Sequence, residues 1–189
     1  MIYVTSDWHF SHDKEFIWKS RGYSSIEDMN EGLIQKYNSL IHMDDEIYVL
    51  GDCCLGGPNS LVKNKNLIER LNGKLHIAFG NHCTIQRQEM YKSCQNVVET
   101  GYAYAFTYRK YHFYASHYPT LCSNYDDGKT LRAKTLNLCG HTHATDPFAD
   151  WNKGCIYHCE VDAHECYPVL LDDIIEEMKT KVEECKAQL

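Results

Sequence analysis

Five times along this chain a short, β-prone apolar run stops abruptly at aspartate, asparagine or histidine, and that repetition constrains the fold more than any other feature. The run Ile47-Tyr48-Val49-Leu50 hands over through Gly51 to Asp52. Ile2-Tyr3-Val4 runs into Ser6-Asp7-Trp8-His9, residues 75–79 into Gly80-Asn81-His82, residues 111–116 into His117, and Leu136-Asn137-Leu138-Cys139 into Gly140-His141-Thr142-His143. Taken singly, an aspartate after a strand is an ordinary turn or cap residue. Five such ends together weigh differently, because loops beyond the carboxyl ends of strands in α/β sheets converge on one crevice.

The intervening segments supply the rest of such a fold. Residues 24–41 place Ile26, Met29, Leu33, Ile34, Tyr37, Leu40 and Ile41 at helical spacing, with Ser25 and Asp28 as a capping box. That helix joins two strands, and a β-α-β order favours parallel pairing. A turn at Gly56-Gly57-Pro58-Asn59 precedes a second helix marked by Leu61, Leu67, Ile68 and Leu71, ending near Asn72-Gly73. A third helix is expected over about residues 86–94. Residues 102–107 and 111–116 alternate and are separated by Tyr108, Arg109 and Lys110, which predicts an antiparallel pair. Residues 123–135, containing Asp126-Asp127-Gly128, read as a loop. A last strand is expected over 155–161, and a packing helix over 171–185 with Ile174, Ile175, Met178 and Val182 on one face. At 189 residues the chain suits a single domain.

Charge and cysteine usage narrow the function. A formal net charge of −7 opposes a broad electrostatic grip on nucleic acid, although a small positive site can sit inside an acidic protein. The expected partner is a small molecule. The N-terminus lacks a basic segment followed by an apolar one, so the ten cysteines are expected to be reduced thiols in a cytoplasmic protein. Cys155, Cys159 and Cys166, with His158 and His164 between them, form no Cys-x-x-Cys pair and read as core residues rather than a zinc site. Cys53 and Cys54, next to Asp52, suggest sensitivity to oxidation. No apolar run approaches the roughly 20 residues that cross a bilayer.

The strand ends offer Asp7, His9, Asp52, Asn81, His117, His141 and His143 as metal ligands. Mixed imidazole and carboxylate donors suit Mn, Fe, Zn or Ni. Seven ligands exceed the needs of one ion, and two ions about 3.5–4 Å apart would share a carboxylate, for which Asp52 is the natural choice.

The order Asp7-x-His9, Gly51-Asp52, Gly80-Asn81-His82, His117 and Gly140-His141-x-His143 resembles the calcineurin-like metallophosphoesterase superfamily. Ser6-Asp7-Trp8-His9-Phe10-Ser11-His12 is similar to the opening of its compact, cap-less bacterial and phage branch. The resemblance implies a four-layer α/β/β/α sandwich and two divalent transition-metal ions, Mn foremost. Asp7, His9, Asp52 and His143 would hold one ion, and Asp52, Asn81, His117 and His141 the other. A metal-bridging hydroxide would attack phosphorus, and His82 would protonate the departing oxygen. Two departures stand out. Cys83 occupies the position where the family commonly has Asp after Asn-His. Gly51-Asp52-Cys53-Cys54-Leu55-Gly56-Gly57 lacks the Asp and Arg of the phosphoprotein phosphatases.

Asn81, His12, Arg21 and Arg132 are the candidate substrate contacts. For His12 a solvated loop histidine is an equal reading, and for Arg132, with its neighbours Lys129 and Lys134, a solvated loop charge. Hydrolysis of a phosphodiester is preferred slightly over a monoester. A nuclease of the same superfamily and an inactive metal-binding module are the alternatives.

Overall fold

The computed structural model describes residues 1–120, 130–149 and 155–187. Its first sheet holds β1 (Ile2–Thr5), β2 (Glu46–Val49), β3 (Lys74–Ala78) and β4 (Val97–Gly101) in the order β4-β3-β2-β1, all parallel. The short β9 (Val169–Leu170) closes the free edge of β1 in the antiparallel sense. The second sheet runs β5-β6-β7-β8: β5 (Ala103–Tyr108) and β6 (Tyr111–Ser116) form the antiparallel hairpin, and β7 (Thr135–Cys139) and β8 (Ile156–His158) add in parallel. Five helices accompany them among the described residues: α1 (Glu15–Ser20), α2 (Ile26–Leu40), α3 (Leu61–Glu69), α4 (Ile85–Lys92) and α5 (Leu171–Ala187).

The period-two pattern of the strands sorts side chains into two cores. Ile47, Val49, Leu75 and Ile77 meet Met29, Leu33, Ile34 and Tyr37 of α2, Leu67 and Ile68 of α3, and Met90 and Tyr91 of α4. On the opposite face Val4, Leu50 and Ala78 pack with Phe113, Ala115, Leu136, Leu138 and Tyr157 of the second sheet. Tyr48 stacks on Phe106 across that seam with ring centroids 4.5 Å apart. Helix α5 follows β9 directly and gives Leu171, Ile174, Ile175 and Met178 to the second core. The result is two sheets flanked by helices, the expected α/β/β/α sandwich.

Several elements differ from the reading of the sequence. Helix α1 is too short to show a period, and β4 has the exposed pattern of an edge strand, with Glu99 and Val98 outside. Two-residue β9 carries no pattern at all. The capping box at α2 is offset: Ser25 Oγ accepts from Asp28 N, but the Asp28 carboxylate takes N–H and O–H from Ser24 rather than Ser25. The Asp126-Asp127-Gly128 turn and Lys129 lie outside the described residues.

Candidate metal centre

Strands β1, β2 and β3 end together at one edge of the first sheet, and β6 and β7 bring the second sheet to the same place. Backbone conformation marks the spot independently of ligand type. Asp7, His9, Asp52, His141 and His143 all have left-handed φ, between 45° and 79°. Non-glycine residues seldom tolerate this, and such strain gathers where a structure fixes functional side chains. The glycines ahead of the ligands serve close approach. A Cβ at Gly51 would meet the His117 ring, at Gly80 the Asp52 carboxylate, and at Gly140 both Ser6 Oγ and Asp7 Oδ2. Only Gly51 of the three also needs its positive φ, at 94°.

Seven candidate ligands come together here. His9 Nε2 lies 3.0 Å from His143 Nε2 and 3.5 Å from Asp7 Oδ1, while His143 Nε2 is 3.9 Å from the same oxygen. His117 Nε2 is 3.3 Å from Asp52 Oδ2 and 2.8 Å from Asn81 Oδ1, and His141 Nδ1 reaches Asn81 Oδ1 at 3.0 Å. Two groups of ligand atoms result among the described residues: Asp7, His9 and His143, and Asp7, Asp52 and His117. Asp7 therefore belongs to both, and Asp52 to the second. Asp7 and His117 are fully buried, and Asp52 and His9 nearly so.

A divalent ion fits this arrangement. Asp7 Oδ1 is buried with no hydrogen-bond partner among the described residues, at the point where two imidazole nitrogens also converge. A buried carboxylate oxygen without a donor is costly. A cation bound by all three atoms removes that cost, and imidazole and carboxylate are the donors such ions take. The electrostatics of the buried groups are mutually adjusted. Burial works against a charged His117, yet Asp52 and Asp7 outweigh it and hold its pKa above the ordinary value. Burial lowers that of His9, against the pull of Asp7.

Outer partners orient the imidazoles, as they do around bound metals. His117 Nδ1–H donates to Leu50 O at 2.8 Å, leaving Nε2 to face the centre. His143 Nδ1–H donates to Asp162 Oδ2 at 2.8 Å. Asp162 is held by the Arg21 guanidinium, Nε to Oδ1 at 2.7 Å and Nη2 to Oδ2 at 2.8 Å. That fork keeps the Asp162 carboxyl well below the usual range against the effect of its burial. Arg21 also donates to Asp7 O and Trp8 O, each at 2.9 Å. One buried cation thus ties the first ligand loop to the last. The expected substrate contact by Arg21 gives way to this: its side chain is 2 % exposed and its donors are already engaged. Glu160, buried behind the last loop, accepts from Thr142 N and Oγ1. Sequence reasoning missed Asp162 and Glu160, although both follow β8 as the other acidic and imidazole groups follow their strands.

Arg132 is also corrected. Its guanidinium lies 5.2 Å over the Tyr111 ring, at the start of β6, whereas His117 lies past its end. Six residues of strand separate the two, about 20 Å. Strand β7 begins beside His112, at the far end of the sheet, and Arg132 stands just before it. His12 does sit at the centre's margin, its ring 5.3 Å from that of His9. Burial and the neighbouring histidines push its pKa down to about 4. Tyr118, not anticipated, stands edge-on to His117 and His141, at 5.0 and 4.9 Å between centroids.

The departure at Cys83 has a physical reading. Cys83 Sγ accepts from Gly80 N at 3.1 Å and so closes the Gly80–Cys83 turn as an acceptor side chain there should. His82 N donates to Asp52 Oδ1 at 3.0 Å, locking the same loop onto the centre. Cys53 and Cys54 are wholly buried and burial drives their thiols upward, so the expected oxidation sensitivity does not follow.

The sequence profile described as calcineurin-like phosphoesterase matches residues 1–180. The uncharacterized protein MJ1445 of Methanocaldococcus jannaschii is 30% identical over 178 residues, covering 92% of this chain and 89% of its own length. A protein of unknown function from Aquifex aeolicus, AQ665, superposes with a TM-score of 0.70 at 19% identity, over 93% of this chain and 98% of that one. An archaeal phosphodiesterase superposes at a TM-score of 0.46 and 14% identity, over 84% and 81% of the two chains.

Proposed function

The chain belongs to the calcineurin-like phosphoesterase family and is a metal-dependent phosphoesterase, and from that premise we propose that it is a dinuclear hydrolase with a preference for phosphodiesters. The observation that carries the proposal is Asp7 Oδ1, without a hydrogen-bond partner among the described residues, facing the Nε2 atoms of His9 and His143. Asp7, His9, Asp52 and His143 would hold one ion, and Asp52, Asn81, His117 and His141 the other. Mn is the first choice, ahead of Fe, Zn or Ni. Ions of this kind lower the pKa of a water molecule and neutralise charge on a phosphoryl group.

The chain's own groups do the rest. His82 is half-exposed beside the centre, its Nε2 4.0 Å from Asp52 Oδ2 and its ring 5.6 Å from that of His9. Fixed by its backbone bond to Asp52, it is placed to donate a proton to the departing oxygen. Asn81 Oδ1 sits between His117 Nε2 and His141 Nδ1, and its amide is our candidate substrate contact. A diester is preferred because the Arg21 guanidinium in the cleft beside the centre is already paired with Asp162 and is not free for the second charge of a monoester.

The test is metal-reconstituted hydrolysis of bis(p-nitrophenyl) phosphate against p-nitrophenyl phosphate with Mn, Ni and Zn in turn. Faster turnover of the diester is expected. Faster turnover of the monoester overturns the preference, and full metal loading with no hydrolysis of either leaves a binding module.

A further inference from the structure

A cavity of about 820 Å³ opens beside the ligand cluster, and its inner end is formed by His9, His143 and His82. An ester whose phosphate faces those residues must project one of its substituents into this space. From the inner end aromatic faces run outward in a row. His12 follows His9, and Phe16 stands edge-on to His12 with centroids 6.0 Å apart. Ile17, Val161 and Cys166, all buried, also line the cavity.

Phe16 is the telling residue, since it is 69 % exposed while its neighbour Ile17 is buried. A lone exposed phenylalanine is ordinary on a protein surface. This one extends a line of rings that begins at a candidate metal ligand, and it borders the concave site where binding of a small molecule is the default expectation. Aromatic side chains bind rings by stacking and edge contacts beyond the gain from burial alone. We propose that the cleft receives a flat aromatic or heteroaromatic substituent of the phosphate ester, bound against the His12 and Phe16 rings and the Ile17, Val161 and Cys166 side chains. The inference rests on the phosphoesterase reading above. Because His82 borders the same space, the ring belongs to the departing side of the ester.

Three uncleavable, carbon-bonded monoanions test this by calorimetric titration of the full chain loaded with Mn: dimethylphosphinate, benzyl(methyl)phosphinate and cyclohexylmethyl(methyl)phosphinate. The benzyl compound is expected to bind about tenfold or more tighter than the dimethyl one, a step of about 1.4 kcal/mol. It should also bind more tightly than the cyclohexyl compound. Phe16→Ala should bring the benzyl and dimethyl affinities together, while Phe16→Trp keeps them apart. Equal binding of benzyl and dimethyl compounds in the unaltered chain overturns the proposal, and so does a benzyl preference that survives Phe16→Ala. A cyclohexyl compound as tight as the benzyl one overturns its aromatic part. Binding needs no turnover, so an aromatic preference in a chain that hydrolyses no ester counts against the catalytic reading alone. Hydrolysis without the preference counts against the cleft alone.

Discussion

Replacing Arg21 with alanine tests whether one buried cation holds the two halves of the centre together. The guanidinium forms a two-bond fork with Asp162 and donates to Asp7 O and Trp8 O. Its side chain is 2 % exposed and that of Asp162 13 %, so solvent offers little compensation when the pair is broken. Removing one partner of such a pair leaves an uncompensated buried charge and costs about 3–5 kcal/mol. In a domain of this size each kcal/mol moves the melting temperature by about 2–4 °C, so the variant should melt about 6–20 °C lower. Metal binding should suffer as well, because Asp162 then orients His143 less well, and loss of such a partner weakens affinity about 10–100-fold. Calorimetric melting and titration with Mn measure the two effects, and Arg21→Lys, which keeps the charge but loses the fork, should fall between. Arg132→Ala is the control, since that exposed side chain lies over Tyr111 at the far end of β6. An Arg21→Ala protein that melts within 2 °C of the parent (about 0.5–1 kcal/mol) and binds Mn unchanged would refute the reasoning.

His82→Ala should keep its metal, measured by elemental analysis, and lose about 10²–10⁴ in turnover of a chromogenic diester, the usual share of a general acid. Gly140→Ala forces a Cβ against Ser6 Oγ and Asp7 Oδ2. It should cost about 1–3 kcal/mol in urea unfolding and weaken metal binding, because Asp7 has to move together with Ser6. Mild peroxide should leave diester turnover intact, since Cys53 and Cys54 are buried and burial drives their thiol pKa upward; a rapid loss that Cys53→Ala abolishes would contradict this.

The candidate ligands were legible because a polar, metal-competent side chain directly after an apolar run is a local signal, and parallel topology then brings the ends together. The glycines were legible for a partly different reason than the true one. A turn was the evident role, yet Gly80 and Gly140 are required by neighbours far along the chain. Arg21 and Arg132 show the limit most clearly. Both were basic residues near ligand segments in sequence, and which end of a sheet a crossover segment reaches depends on where the chain re-enters it. Asp162 carried the same strand-end signal as the ligands, but its partner Arg21 stands 141 residues earlier, and nothing local pairs them. Strands β4 and β9 escaped notice because edge strands need no continuous apolar face.

The central claim is that two ions share one carboxylate, and that it is Asp52. The structure gives the claim a sharp rival, because Asp7 is the carboxylate common to both groups of ligand atoms. Counting bound Mn per chain in the parent, Asp52→Asn and Asp7→Asn proteins, with diester turnover measured on the same samples, separates the two. The account predicts two ions in the parent, none retained and almost no turnover in Asp52→Asn, and one retained in Asp7→Asn. An Asp52→Asn protein that keeps its full metal content and a normal rate would contradict it.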